Sequence, residues 1–262
     1  MTQSDYGKSG LIGMLTPQAN TTVEPEFWAL MPSDWSMINA RLTSDKSTIE
    51  ERLVDYTTKF VDVAREFANA PITILAAGCT GASYLIGRTR EQELMTELSA
   101  DHGVPCYTAA WATVEALRVL GARRIGLISP YPKVLNDKCD PYWESFGLEV
   151  VAKTGPDLET AKFHPIYAMQ GAATLAALQE LQDADCDAIA MLGTGMATLE
   201  PMVAVKGWDG PVPLSCNIAL IWALVEANAG RPLTRASLMP WIQTDIWAPR
   251  YRALFPPAQA AE

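Results

Sequence analysis

The sequence predicts an α/β fold of two pseudo-symmetric lobes, each a parallel sheet flanked by helices, with the functional site between them. Three observations carry this. Short apolar runs alternate with longer helical stretches, the pattern of parallel sheets with crossover helices. Three features recur in the same order at offsets of 108 to 114 residues. The residues suited to chemistry fall just after the apolar runs, where open α/β sheets bind their ligands.

In chain order, "LIGMLT" (11–16), "ITILAA" (72–77), "RIGLIS" (124–129), "AIAMLG" (188–193) and "PVPLS" (211–215) read as strands buried on both faces. Residues 48–69 carry apolar side chains at helical spacing and read as one helix, as do 109–121, 172–182 and 218–230. The last of these runs into Gly230, a C-terminal stop signal. The tail 238–255 is apolar beyond what a loose end needs. It either packs back onto the first lobe, the expectation here, or forms a dimer contact.

"IGMLTP" at 12–17 recurs as "IGLISP" at 125–130, "CTG" at 79–81 as "GTG" at 193–195, and "GVP" at 103–105 as "PVP" at 211–213. Repetition in order implies an internal duplication. The expected division is a first lobe of residues 1–112 plus 222–262 and a second of 113–221.

Of the 262 residues, 49% are hydrophobic and 19% charged, enough apolar content for a large core. The formal charge of −10 leaves no basic footprint for a nucleic acid. No apolar run approaches the roughly 18–20 residues that cross a bilayer. The N-terminus lacks a basic segment followed by an apolar core, so a cytoplasmic location is expected. The five cysteines, at 79, 106, 139, 186 and 216, form no CxxC pair, and the two histidines stand far apart. Free thiols are expected, with neither a metal nor a disulfide framework.

Two loops concentrate donors. "PQANTTVEPE" offers Pro17, Gln18 and Asn20 beside a helix start that would aim its N-terminus at an anion. An ordinary Asn or Thr cap is the plainer alternative. "GCTGAS" sets Cys79 between glycines, where a following helix favours the thiolate. A small residue packed in a strand-to-helix turn explains the same string. Through the repeat, Cys79 corresponds to Gly193 and Thr80 to Thr194, so the second lobe keeps the turn without the thiol. Tyr131 corresponds to Gln18, and its hydroxyl could reach a carboxylate between the lobes. His164 is a candidate substrate contact or base, with a plain surface histidine as the alternative.

These residues carry a resemblance. "IGMLTPQANTTVEPE", "GCTGASY", "ALRVLGARRIGLISPYPKVLND" and "TGMATLEPM" followed by "VPLSCNIALIWALV" resemble the aspartate/glutamate racemase superfamily. The likeness is to the branch holding maleate cis-trans isomerase and arylmalonate decarboxylase, and runs from about residue 11 to 230. It implies two α/β lobes, an active site between them and no cofactor. It places a catalytic thiol on Cys79 and a carboxylate-binding amide on Asn20. The family tyrosine falls on Tyr131, and Thr80 and Gly81 lie with the backbone donors. The second catalytic thiol of the two-cysteine members falls on Gly193, beside Thr194. Two-base racemisation loses one of its groups there, whereas addition–elimination and decarboxylation each keep a nucleophile or a proton donor.

The leading expectation is therefore a cofactor-independent enzyme acting on a small carboxylic acid through Cys79. It would be maleate-isomerase-like or arylmalonate-decarboxylase-like, and a homo-oligomer is compatible with it. A cysteine hydrolase of a small amide or ester is the alternative, with a general base required. A third reading is a non-catalytic small-acid binding protein, with an ordinary thiol pKa near 8.5 at Cys79.

Overall fold

A computed structural model describes residues 5–155 and 165–256. Among these, the first sheet comprises β1 (Gly10–Pro17), β2 (Trp35–Leu42), β3 (Ile74–Ala77) and β4 (Cys106–Thr108), all parallel, in the order β2-β1-β3-β4. The second comprises β5 (Arg124–Ile128), β6 (Glu149–Thr154), β7 (Ala188–Met191) and β8 (Val212–Ser215), again parallel, in the order β6-β5-β7-β8. The helices are α1 (Val23–Leu30), α2 (Ile49–Thr58), α3 (Phe60–Ala64), α4 (Thr80–His102), α5 (Ala109–Leu120), α6 (Lys133–Glu144), α7 (Gly171–Glu180), α8 (Leu199–Ala204), α9 (Cys216–Asn228), α10 (Arg235–Ile242) and α11 (Ala248–Leu254). None of the described helices is long and apolar enough to cross a membrane.

The register carries the duplication residue by residue. Ile12 pairs with Met37 and Ile74, while Ile125, 113 positions on, pairs with Val150 and Ala188. Leu75 pairs with Cys106 and Ile189 with Pro213, so the last strand repeats at 107, not at the 108 that "GVP" and "PVP" suggest. The two prolines are thus one residue out of register: Pro105 precedes β4 and Pro213 is the second residue of β8, each at an edge strand where a missing N–H costs little.

The central strands β1, β3, β5 and β7 are buried along nearly their whole length, which is why they read as continuous apolar runs. The outer strands β2 and β6 are half-exposed, and β4 is three residues long. They leave no such run. The helix expected over 48–69 is broken at Lys59 and finishes as a 3-10 turn at Arg65–Phe67. Its apolar spacing survives because both pieces face the same core.

Each lobe closes on the other. After β4 and β8 the chain enters α5 and α9, capped by Thr108 and Ser215, whose hydroxyls accept first-turn N–H groups. These two helices pack together, and α9 also touches α1, β3 and β4 of the first lobe. Trp222 is wholly buried there, its Nε1 donating to Ser237 Oγ at 3.0 Å. The tail does return: α10 packs on α5 and α9, and α11 on α1, with Trp247 fully buried. The carboxyl ends of the central strands thereby meet across one seam.

Candidate active site

Three turns meet at that seam. The first follows β1. Asn20 is 3% exposed, and its Oδ1 accepts the N–H groups of Thr22 and Val23, at 2.9 and 3.0 Å, opening α1. Its Nδ2 donates across the seam to Thr194 Oγ1 at 3.0 Å. Asn20 thus closes a turn onto Thr22, the N-cap residue of α1, and is not itself the N-cap; one amide hydrogen is left for a ligand. Gln18 turns away, its Oε1 accepting the Ser44 N–H at 2.7 Å, and the Pro17 carbonyl accepts from Arg41 at 3.3 Å.

The second turn follows β3. Cys79 is 4% exposed and occupies the residue before α4, in extended backbone. Burial pushes its thiol up to about 11, while the N–H groups of Ala82 and Gly81, which face the sulfur, pull it back. The helix terminus favours the thiolate as the sequence implies, but desolvation outweighs it, and the resting group is a neutral thiol. Thr80 is fully buried. Its Oγ1 lies 3.0 Å from the Tyr131 hydroxyl and accepts the Gly193 N–H at 3.0 Å. The Gly81 N–H donates to the same Tyr131 oxygen at 3.1 Å, and a Cβ at Gly81 would stand 3.0 Å from that oxygen.

The third turn follows β7. Gly193 holds φ +79°, and a Cβ there would meet Pro130 Cγ at 2.6 Å and Ile166 Cδ1 at 3.0 Å. The space a second thiol needs is filled by these two side chains. The Thr194 hydroxyl donates to Gly78 O at 2.7 Å, and Thr22 Oγ1 donates to Gly195 O at 2.8 Å. The backbone N–H groups of Thr194 and Gly195, both buried, have no acceptor among the described residues. They and the first turn of α4 are donors with which an anion between the lobes can pair.

Of the residues expected from sequence, Cys79, Asn20, Thr80, Gly81, Tyr131, Gly193 and Thr194 come together. Pro17 and Gln18 support the first turn. His164 lies outside the described residues. Cys216 opens α9, wholly buried and near enough to sense charge on Cys79. Sequence reasoning missed Tyr56 and Tyr167. Burial, and next Cys79 once it is ionised, push the Tyr56 hydroxyl up to about 12 and that of Tyr167 higher still. It also missed Glu26, Thr198 and Asn217, a buried cluster behind the third turn. Glu26 reads locally as an acidic residue in the first turn of a helix, and nothing in "VEPEF" points across the seam. Among the described residues, no group of three acidic, histidine or cysteine side chains is arranged to hold a metal ion.

A thiol pushed to about 11 has a definite signature. The alkylation rate of Cys79 by iodoacetamide, read from the mass of its peptide, climbs about tenfold per pH unit between pH 7 and 9. A plateau inside that range contradicts the burial argument.

The profile of the arylmalonate decarboxylase family matches residues 12–237. A maleate isomerase of Pseudomonas putida is 26% identical over 236 residues, covering 85% of this chain and 93% of the relative. A cysteine-to-serine mutant of the Nocardia farcinica maleate cis-trans isomerase, solved with a covalently bound succinylcysteine intermediate, superposes with a TM-score of 0.73 at 23% identity. That match covers 85% of this chain and 94% of the other. A double mutant of arylmalonate decarboxylase in a liganded form superposes with a TM-score of 0.72 at 23% identity, covering 86% and 96%. In it, one glycine is exchanged for cysteine and one cysteine for serine.

Proposed function

The chain belongs to the arylmalonate decarboxylase family, and from that membership we infer that it is a cofactor-independent enzyme acting on a small carboxylic acid through Cys79. The reading favoured by the geometry is decarboxylation of a malonate-type diacid. The observation that carries it is a single neutral thiol at the start of α4, facing a turn with no room for a second. The bond from the α-carbon to one carboxylate breaks, and carbon dioxide leaves. The electron pair stays on the α-carbon, spread into the remaining carboxylate as an enediolate. Thr194 and Gly195 N–H, Asn20 Nδ2 and the Tyr131 hydroxyl stabilise that charge. The Cys79 proton passes to the α-carbon, and solvent reprotonates the sulfur. A thiol held neutral by burial is the right resting state for this role.

The one-thiol arrangement has a parallel. The two positions exchanged in the arylmalonate decarboxylase double mutant stand 114 residues apart, glycine first, the spacing of Cys79 and Gly193 here. A second reading, maleate-type cis–trans isomerisation, is favoured by the curated relatives and by the cysteine adduct in an isomerase with one cysteine replaced. In it the Cys79 thiolate adds to the double bond, the adduct rotates about the new single bond, and the C–S bond breaks to release the trans acid. This requires the thiol to lose its proton first. Acyl transfer would need a general base, and the described histidine, His102, lies at the far end of α4.

A panel of phenylmalonate, methylmalonate, maleate and small amides, assayed in deuterated buffer, tests the reading. Malonate-type acids are expected to turn over with one deuterium on the product α-carbon. Turnover of maleate alone would move the assignment to isomerisation, and turnover of amides alone would overturn both.

A further inference from the structure

We propose that Glu26 is a positioning residue, which fixes the Asn217 amide and through it the Thr194 peptide at the rim of the site. The inference rests on the one-thiol reading above and concerns a residue that touches no substrate.

Glu26 sits on α1 of the first lobe, 6% exposed, and its partners all belong to the second-lobe end of the seam. Its Oε1 accepts the N–H groups of Thr198 and Leu199, at 2.6 and 3.2 Å, closing the start of α8. The Thr198 hydroxyl donates to the same carboxylate at 3.0 to 3.1 Å. It lies 2.7 Å from Ser215 Oγ, which caps α9. Glu26 Oε2 accepts Asn217 Nδ2 at 2.7 Å. Burial pushes the carboxyl above its usual range, and these donors pull it back.

Asn217 is the link to the site. Its other amide hydrogen goes to the Thr194 carbonyl at 3.2 Å. Its Oδ1 is buried with no partner among the described residues. An orphaned amide oxygen is costly, so something must hold the amide in this orientation. Glu26 does so because a carboxylate only accepts and therefore demands the NH2 side. Held this way, Asn217 leaves the Thr194 carbonyl pointing into the protein. The Gly195 N–H, on the opposite side of that same trans peptide, is thereby left to face the seam, where charge develops.

Glutamine at 26 would keep the shape but not this logic. Its oxygen can still serve the fixed N–H groups of Thr198 and Leu199. Its NH2 would then face the NH2 of Asn217, and the relief is for Asn217 to turn over. That swings Oδ1 against the Thr194 carbonyl and removes its donor.

The test compares Glu26→Gln and Asn217→Ala with wild type by steady-state kinetics on the substrate that turns over, by thermal melting and by Cys79 alkylation. Both variants are expected to lower kcat by about 10- to 100-fold with KM within about threefold, since the turn acts on developing charge. Melting of Glu26→Gln and alkylation rates stay near wild type. A folded Glu26→Gln with kcat within about twofold of wild type overturns the proposal and leaves Glu26 as an interlobe strut. If Glu26→Gln does not fold, Asn217→Ala decides by the same criterion. Amide hydrogen exchange provides a readout without turnover, with faster exchange expected over residues 192–198. If wild type turns over none of the panel, the functional reading has failed. Unchanged exchange over 192–198 then overturns this inference separately.

Discussion

Cys79→Ser loses activity on its substrate by about a thousandfold or more and melts within about 2 °C of wild type. A positioned general acid contributes roughly 10²- to 10⁴-fold, and a serine hydroxyl is a far weaker acid than a thiol. The exchange changes one atom in a buried position and removes no hydrogen bond that holds the fold, so stability has little reason to move. The loss should sit in kcat, because proton delivery matters in the transition state and not in binding. Single-turnover kinetics with a malonate-type acid, beside thermal melts of both proteins, measure it. Full turnover by Cys79→Ser would remove the thiol from the chemistry whatever the substrate.

Gly193→Cys, which places a thiol where the two-cysteine relatives would carry one, destabilises the chain and creates no racemase. The backbone at Gly193 holds φ +79°, a region that costs a residue with a Cβ about 1–3 kcal/mol. The new Cβ also meets Pro130 Cγ at 2.6 Å, and overpacking of that kind adds about 1–3 kcal/mol. Together they predict a loss of about 2–6 kcal/mol and a melting temperature lower by roughly 4–24 °C. Adding Pro130→Ala recovers part of the loss, because it removes the collision and leaves the backbone strain. Circular-dichroism melts of the single and double variants check the size and its division. Exchange of α-hydrogen in a chiral product checks for the absence of two-base chemistry. A Gly193→Cys that melts like wild type would mean that the turn adapts and that the one-thiol arrangement is not built into the backbone.

How far the site could be read without coordinates differs residue by residue. Cys79, Thr80 and Gly81 were legible because they follow a run buried on both faces, and the end of such a run is where a strand must turn. Gly193, Thr194 and Tyr131 were legible through the repeat. Tyr56 was not, because a tyrosine at helical spacing on an apolar face looks the same whether it faces core or cleft. Glu26 and Asn217 were not, because the pair lies 191 positions apart. No local pattern connects a first-turn glutamate to an asparagine beyond β8. The outer strands β2 and β6 were missed for the opposite reason. Half-exposed and mixed in composition, they are strands because a neighbour offers a ladder, and their own residues do not demand it.

The sequence by itself determined the two-lobed α/β architecture, the seam as the place of the candidate site and the asymmetry of one thiol against one glycine. Burial periodicity and internal repetition are properties of the chain order, and they survive without coordinates. Only the tertiary structure decided the state of that thiol and the reason for its solitude. Desolvation against helix-end donors sets its proton affinity, and Pro130 and Ile166 occupy the second position. The burial and the filled second position arise from atoms far apart in the chain, and their strength depends on distances that only the closed seam fixes.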